Sequence, residues 1–374
     1  MKIILIFLLT ISLLSCTNEI PIKPQPGKPK ITNYDTLYVA GEFNYIDSLQ
    51  VNNIALWDGE NWHKVGNGLP DASVGCMAVY KNGLYVGGFI DSAGGKPVNN
   101  IAKWDGQHWS ALGEGTDGVV RDLVVYKDEL YVCGWFMNAG GKPVNNIARW
   151  NGTDWLPLDE GLNDEVYTMA VYNDELYVGG WFVKSGTPTK EFTANKIAKW
   201  NGEKWSRVLD ITKGVGGGGW VDKLSVYNDE LIILGLFDSI NGVQVNKIAL
   251  WNGSSWKPMG NIHHQEKDTY YSFSAVKYNE ALYIGGNFDS IDSVYSNYYA
   301  KWNNTKWMPS PFTTDAPPGT FFVYNNFLYV GGYFNFANNI NVNGIFKWDG
   351  NEISKLKNGV KGYVYAIEAY KNKN

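Results

Sequence analysis

Four residue types return at fixed spacing through the chain, seven times each, and this repetition narrows the possible folds more than any other feature. Aligned on the string LYVGG, a second glycine stands at Gly41, Gly88, Gly134, Gly180, Gly235, Gly286 and Gly332. Eleven residues on, or fifteen in one copy, comes an asparagine: Asn52, Asn99, Asn145, Asn195, Asn246, Asn297 and Asn343. Five residues after each of these stands Trp57, Trp104, Trp150, Trp200, Trp251, Trp302 or Trp348. A tyrosine closes each preceding segment, at Tyr80, Tyr126, Tyr172, Tyr227, Tyr278, Tyr324 and Tyr370. A repeat of about this length is one supersecondary unit that cannot bury its apolar face alone.

Each copy reads as four short strands. The first, as in TMAVY, alternates Met169 and Val171 with Thr168 and Ala170 and runs into a tight turn such as Asn173-Asp174 or Asn82-Gly83. The second is LYVGG, and the third is typified by NKIAKW. The third ends on Asp-Gly or Asn-Gly in six copies and on Asn303-Asn304 in the other, pairs that tolerate the positive φ of a hairpin turn. The fourth opens at a further Trp, as at Trp62, Trp109 and Trp155. No helical period appears in the body of the chain. Four strands per unit without helices predict an all-β fold, a seven-bladed β-propeller with four antiparallel strands per blade. The Gly-Gly ending of one strand and the Trp opening another resemble kelch-type repeats, although kelch repeats usually carry Tyr where Trp57 and its equivalents stand. The phrase LYVGG…VNNIAKWDG…W…LG is similar to repeats of bacterial secreted and surface proteins. The resemblance covers residues 33–374 and implies a fold without implying a reaction. The first LYVAG lacks a preceding strand and the closing VYAIEAY lacks a following one, so the C-terminal strand is expected to complete the N-terminal blade and close the ring.

The N-terminus, MKIILIFLLTISLLSC, carries one Lys and an apolar run too short for a stable membrane anchor. Leu13-Leu14-Ser15-Cys16 resembles a bacterial lipobox, which implies a signal peptide over 1–15, lipidation at Cys16 and a Pro-rich tether over 16–32. The expected location is the cell envelope, outer membrane by preference, with the domain a monomer held to the membrane through its lipid. A net charge of −5 without a basic stripe argues against nucleic acid. Cys76 and Cys133 fall at unrelated template positions and are expected to be buried thiols, not a disulfide.

Most of the 16 Trp residues belong to the template, leaving Trp135, Trp181 and Trp220. The repeated Asn residues are expected to tie their own loop backbone. Three insertions break the period, near WFVKSGTPTKEFTAN, DITKGVGGGGWVD and GNIHHQEKDTYY, and in a propeller all three connections emerge on one face. Loops on a rigid scaffold are where binding residues concentrate. The candidate ligand site is therefore Trp181, Phe192, Trp220, His263, His264, Tyr270 and Tyr271. The histidine pair lacks a third ligand at a recognisable spacing, so no metal and no cofactor is expected. Acidic residues cluster in turns such as Asp174-Glu175 and Asp229-Glu230, where solvation explains them. The reading is a non-catalytic binding or interaction scaffold for a protein, peptide or glycan. The alternative is a glycan- or peptide-binding module using the insertion loops of that face, and the third a hydrolase or other enzyme with a site grafted on the same face.

Overall fold

The computed structural model describes residues 36–185, 192–208, 219–264 and 273–371. Cys16 and the tether lie outside the described residues, as do Tyr270 and Tyr271. Every described element is a β-strand, and the four-stranded sheets are antiparallel meanders. The arrangement is all-β and propeller-like.

Six of these sheets follow chain order. Their leading strands are Ser73–Tyr80, Val119–Tyr126, Val166–Tyr172, Trp220–Tyr227, Phe273–Tyr278 and Pro318–Tyr324, each on one edge of its sheet. A further sheet is composite. Tyr363–Ala369 pairs antiparallel with Leu37–Glu42, setting Leu37 opposite Ala369 and Glu42 opposite Tyr363, followed by Ile54–Trp57 and Trp62–Lys64. The leading strands lie against one another in chain order, and Tyr363–Ala369 touches both Pro318–Tyr324 and Ser73–Tyr80.

The conserved template residues are explained by bonds between sheets. Trp109, Trp155 and Trp205 donate from Nε1 to the carbonyls of Val65, Leu112 and Leu158 in the sheet before, and Trp62 donates to Leu356. The tyrosine hydroxyls reach forward instead: Tyr80 to Asp128 O, Tyr126 to Asp174 O, Tyr172 to Asp229 O and Tyr370 to Asn82 O. The two tryptophans of a sheet pack on each other with ring centroids 5.0 Å apart at Trp57–Trp62 and 5.3 Å apart at Trp150–Trp155. Between second and third strands runs a small extra hairpin, such as Ser92–Ala93 with Lys96–Pro97, which the residue pattern did not announce.

Two local expectations are corrected. Tyr80 pairs with Gly83, so the turn is Lys81-Asn82, one residue before Asn82-Gly83. The repeated Asn does not tie its own loop: Asn52, Asn99, Asn145 and Asn343 donate from Nδ2 to carbonyls 15 residues on, in the connection after the fourth strand. Each sits at positive φ, from 45° to 53°, a conformation Asn tolerates better than most residues. The two cysteines are free and buried, and burial pushes both thiols well above their ordinary range, so they are inert packing groups.

Candidate binding site

The Gly-Gly pair builds the site. In the composite sheet and in five of the others, the ladder between leading and second strand skips one residue: Gly75, Arg121, Tyr167, Asp222, Gly319 and Tyr365. Such a bulge leaves a residue unpaired and re-aims its side chain. The backbones come so close there that a Cβ on Gly41, Gly88 or Gly134 would fall 1.9 to 2.0 Å from the carbonyl oxygens of Tyr363, Ser73 and Val119. Only glycine fits opposite the bulge. The recurring second glycine is thus the cost of turning a neighbouring side chain out of the ladder.

Those skipped residues all stand five positions before the template tyrosine, a column that Phe273 completes without a bulge. All of the column but Gly319 lines one cavity of about 480 Å³, within the range of small-molecule sites. Asp122, Glu165, Trp220 and Lys223 complete its polar and aromatic wall.

The charges in the cavity are unevenly employed. Arg121 Nε donates to Glu165 Oε1 at 2.8 Å. Asp122 accepts at both oxygens, from Leu123 N at 2.9 Å and from Met169 N of the next sheet at 2.8 Å. Asp222 accepts from Phe273 N at 2.8 Å through one oxygen, and no described donor reaches the other. Burial raises the carboxyl of Asp122 above its usual range, although Lys223 opposes the shift. Burial pushes Asp222 up to about 6, opposed by its bond from Phe273 N and by Lys223 and Arg121. No described carboxylate lies within ion-pair distance of Lys223. Burial first, then Glu165, raises the phenol of Tyr167, which stays a neutral donor.

The expected site residues divide. Trp181 and Trp220 come together with ring centroids 5.1 Å apart, and Trp220 also lines the cavity. Lys196 Nζ sits 4.4 Å over the Trp181 ring and donates to the Trp181 carbonyl. The backbone of Phe192 pairs with Ser185, while its side chain lies outside the described residues. His263 pairs with Ser290, and His264 Nδ1 lies 3.0 Å from Asp289 Oδ2 with only 9% of its side chain exposed. Neither histidine lines the cavity. Among the described residues no three His, Cys, Asp or Glu side chains gather as a metal site would require.

Arg121, Asp122, Glu165, Tyr167, Asp222, Lys223 and Tyr365 lie in neither the insertions nor the acidic turns that the sequence singles out. The signal was present. Written one copy under another, the column before each tyrosine reads Gly, Arg, Tyr, Asp, Phe, Gly, Tyr, a place where the repeat stops repeating.

No family model matches the chain, and no curated protein matches it. Among solved structures it is similar to the computationally designed Ika8 protein, at 10% identity and TM-score 0.48, over 80% of this chain and 91% of that one. It is also similar to the extracellular domain of a hybrid two-component system from B. thetaiotaomicron, at 12% identity and TM-score 0.49, over 76% of this chain and 33% of that one. A third is YjhT, at 15% identity and TM-score 0.46, over 75% and 96% respectively.

Proposed function

We propose that the chain is a kelch-like, seven-bladed β-propeller, closed by its last strand and tethered outside the cytoplasm through a lipid on Cys16. Its role is that of a non-catalytic binding scaffold, taking its ligand at the mouth of the polar cavity. The observation that carries this reading is the diverging column of bulged side chains, set in a backbone that otherwise repeats. A purely structural channel gives no reason for Arg, Tyr and Asp to replace Gly at equivalent backbone positions. Closure is supported by the pairing of Tyr363–Ala369 with Leu37–Glu42 and its packing against leading strands from both ends of the chain. A full complement of sheets in a ring would hide every leading edge.

The occupied carboxylates favour binding over hydrolysis. A glycosidase-type pair needs two carboxyl groups free to exchange protons or attack. Here Asp122 accepts backbone N–H bonds at both oxygens and Glu165 is ion-paired through Oε1 to Arg121, which leaves Asp222, with its single backbone bond, as the cavity carboxylate held least.

The test uses the full chain in detergent, as wild type and as the Arg121→Ala/Asp222→Asn double variant, on peptide and glycan arrays. Loss of the wild-type signal in the double variant, with unchanged melting, is the expected result. A ligand held equally by both proteins would move the site elsewhere. For the anchor, Cys16→Ser should shift the protein from the detergent to the aqueous phase; equal partitioning of both would end the lipoprotein reading.

A further inference from the structure

A second column is the residue directly after each recurring glycine: Glu42, Phe89, Trp135, Trp181, Leu236, Asn287 and Tyr333. Four of the seven are aromatic, and Phe89, Trp135, Trp181 and Tyr333 are 52%, 64%, 38% and 54% exposed. Exposed aromatics are ordinary when scattered, but four at one register position form a set. Two of them extend inward. Trp181 packs on Trp220 at the cavity wall. Tyr333 stacks on Tyr363 with centroids 4.0 Å apart and planes at 12°, and Tyr363 on Tyr365 at 5.4 Å and 17°. Tyr365 is a cavity residue, so this ladder leads from the exposed edge into the pocket.

We infer that the cavity and its aromatic rim bind a neutral oligosaccharide. The inference rests on the proposed placement of the ligand site. Its chemistry is specific: Asp222 offers an acceptor, while Lys223 and Tyr167 offer donors within one small space. A ligand of single charge is attracted by one sign and repelled by the other. A hydroxyl group donates and accepts at the same atom, so a polyol can satisfy both without bringing a charge into a poorly solvated site. The apolar face of a pyranose ring matches flat aromatic surfaces in the manner that rim aromatics offer, with one end dry and the other wet. Aromatics extend beyond the cavity itself, which suits several linked sugars better than one.

The test is titration of the full-length protein in detergent with cellohexaose, maltohexaose, xylohexaose and chitohexaose, read by calorimetry and by Trp fluorescence. A charged arm uses hexagalacturonate, and a peptide arm uses a hexapeptide library. At least one neutral hexasaccharide should bind, weakened tenfold or more by Trp220→Ala and by Asp222→Asn. Tyr295→Ala, at an exposed ring that belongs to neither column, should leave the affinity within twofold. Binding of only the charged or peptide probes, with the same Trp220 and Asp222 dependence, would overturn the oligosaccharide while keeping the cavity as the site. Binding by no probe, or binding that ignores both substitutions, would overturn the cavity reading as well.

Discussion

The outer half of each sheet and the mouth of its leading strand are built from the same repeat, yet they differ in what varies. In the outer half, Trp104–Trp109, Trp200–Trp205 and Trp302–Trp307 pack with centroids 5.2, 5.2 and 5.3 Å apart, copies of one geometry. At the mouth, the same backbone position carries Arg121, Tyr167, Asp222 and Tyr365. Repetition in the outer half serves packing between sheets, where any departure costs stability. Variation at the mouth is tolerated because a bulged residue bears no ladder bond. The fold is carried by sameness and the chemistry by difference.

Experiments that perturb each region should separate them. Removing 363–374 strips Leu37–Glu42 of its partner and withdraws the buried Val364, Ile367 and Tyr370. The loss should be on the order of 5 kcal/mol or more, comparable to a domain's whole stability. A truncated protein that elutes as a monomer and melts with wild type would break the comparison at its base. Gly134→Ala forces a Cβ against the Val119 carbonyl and should cost about 1–3 kcal/mol in chemical denaturation. Trp155→Phe deletes the 2.7 Å bond to Leu112 O, and about 1–2 kcal/mol should go with it. If Arg121→Gln costs as much as Trp155→Phe, the mouth is structural after all; the expected change lies within about 0.5 kcal/mol, as for other surface positions.

A smaller effect follows pH. Burial raises Glu368, on the last strand, from 4.5 to about 7. The unfolded chain ionises first, so this group's contribution is greatest at low pH and is lost as pH rises from 4.5 through about 7. Melting curves of wild type and Glu368→Gln should converge near pH 4 and separate by pH 8, with the variant higher. Parallel curves across that range would refute the assignment.

Strand order, turn positions to within a residue and the pairing of the two chain ends were legible in the sequence, because each rests on local alternation or on a strand missing its partner. Trp181 and Trp220 were legible as departures from the template. The cavity was not. Its members stand as much as 292 residues apart, as Gly75 and Ile367 do, and each looks like an ordinary strand residue. A bulge turns Arg121, Tyr167, Asp222 and Tyr365 aside, and in those sheets the sequence records it as a glycine on the opposite strand. The Asn bonds are hidden from the sequence for a similar reason: a positive φ is local, but the side chain reaches the next connection.

The pairing of Leu37–Glu42 with Tyr363–Ala369 also sets a clock. Thr36 Oγ1 donates to the Tyr370 carbonyl across a sequence separation of 334 residues. At about 5–20 residues per second, roughly 17–70 seconds of synthesis separate the two partners. Throughout that interval the first sheet to emerge has an open edge, and every later sheet can finish before it. The earliest strand is the last to find its neighbour, so any factor that guards this chain while it is made has most to guard at its beginning.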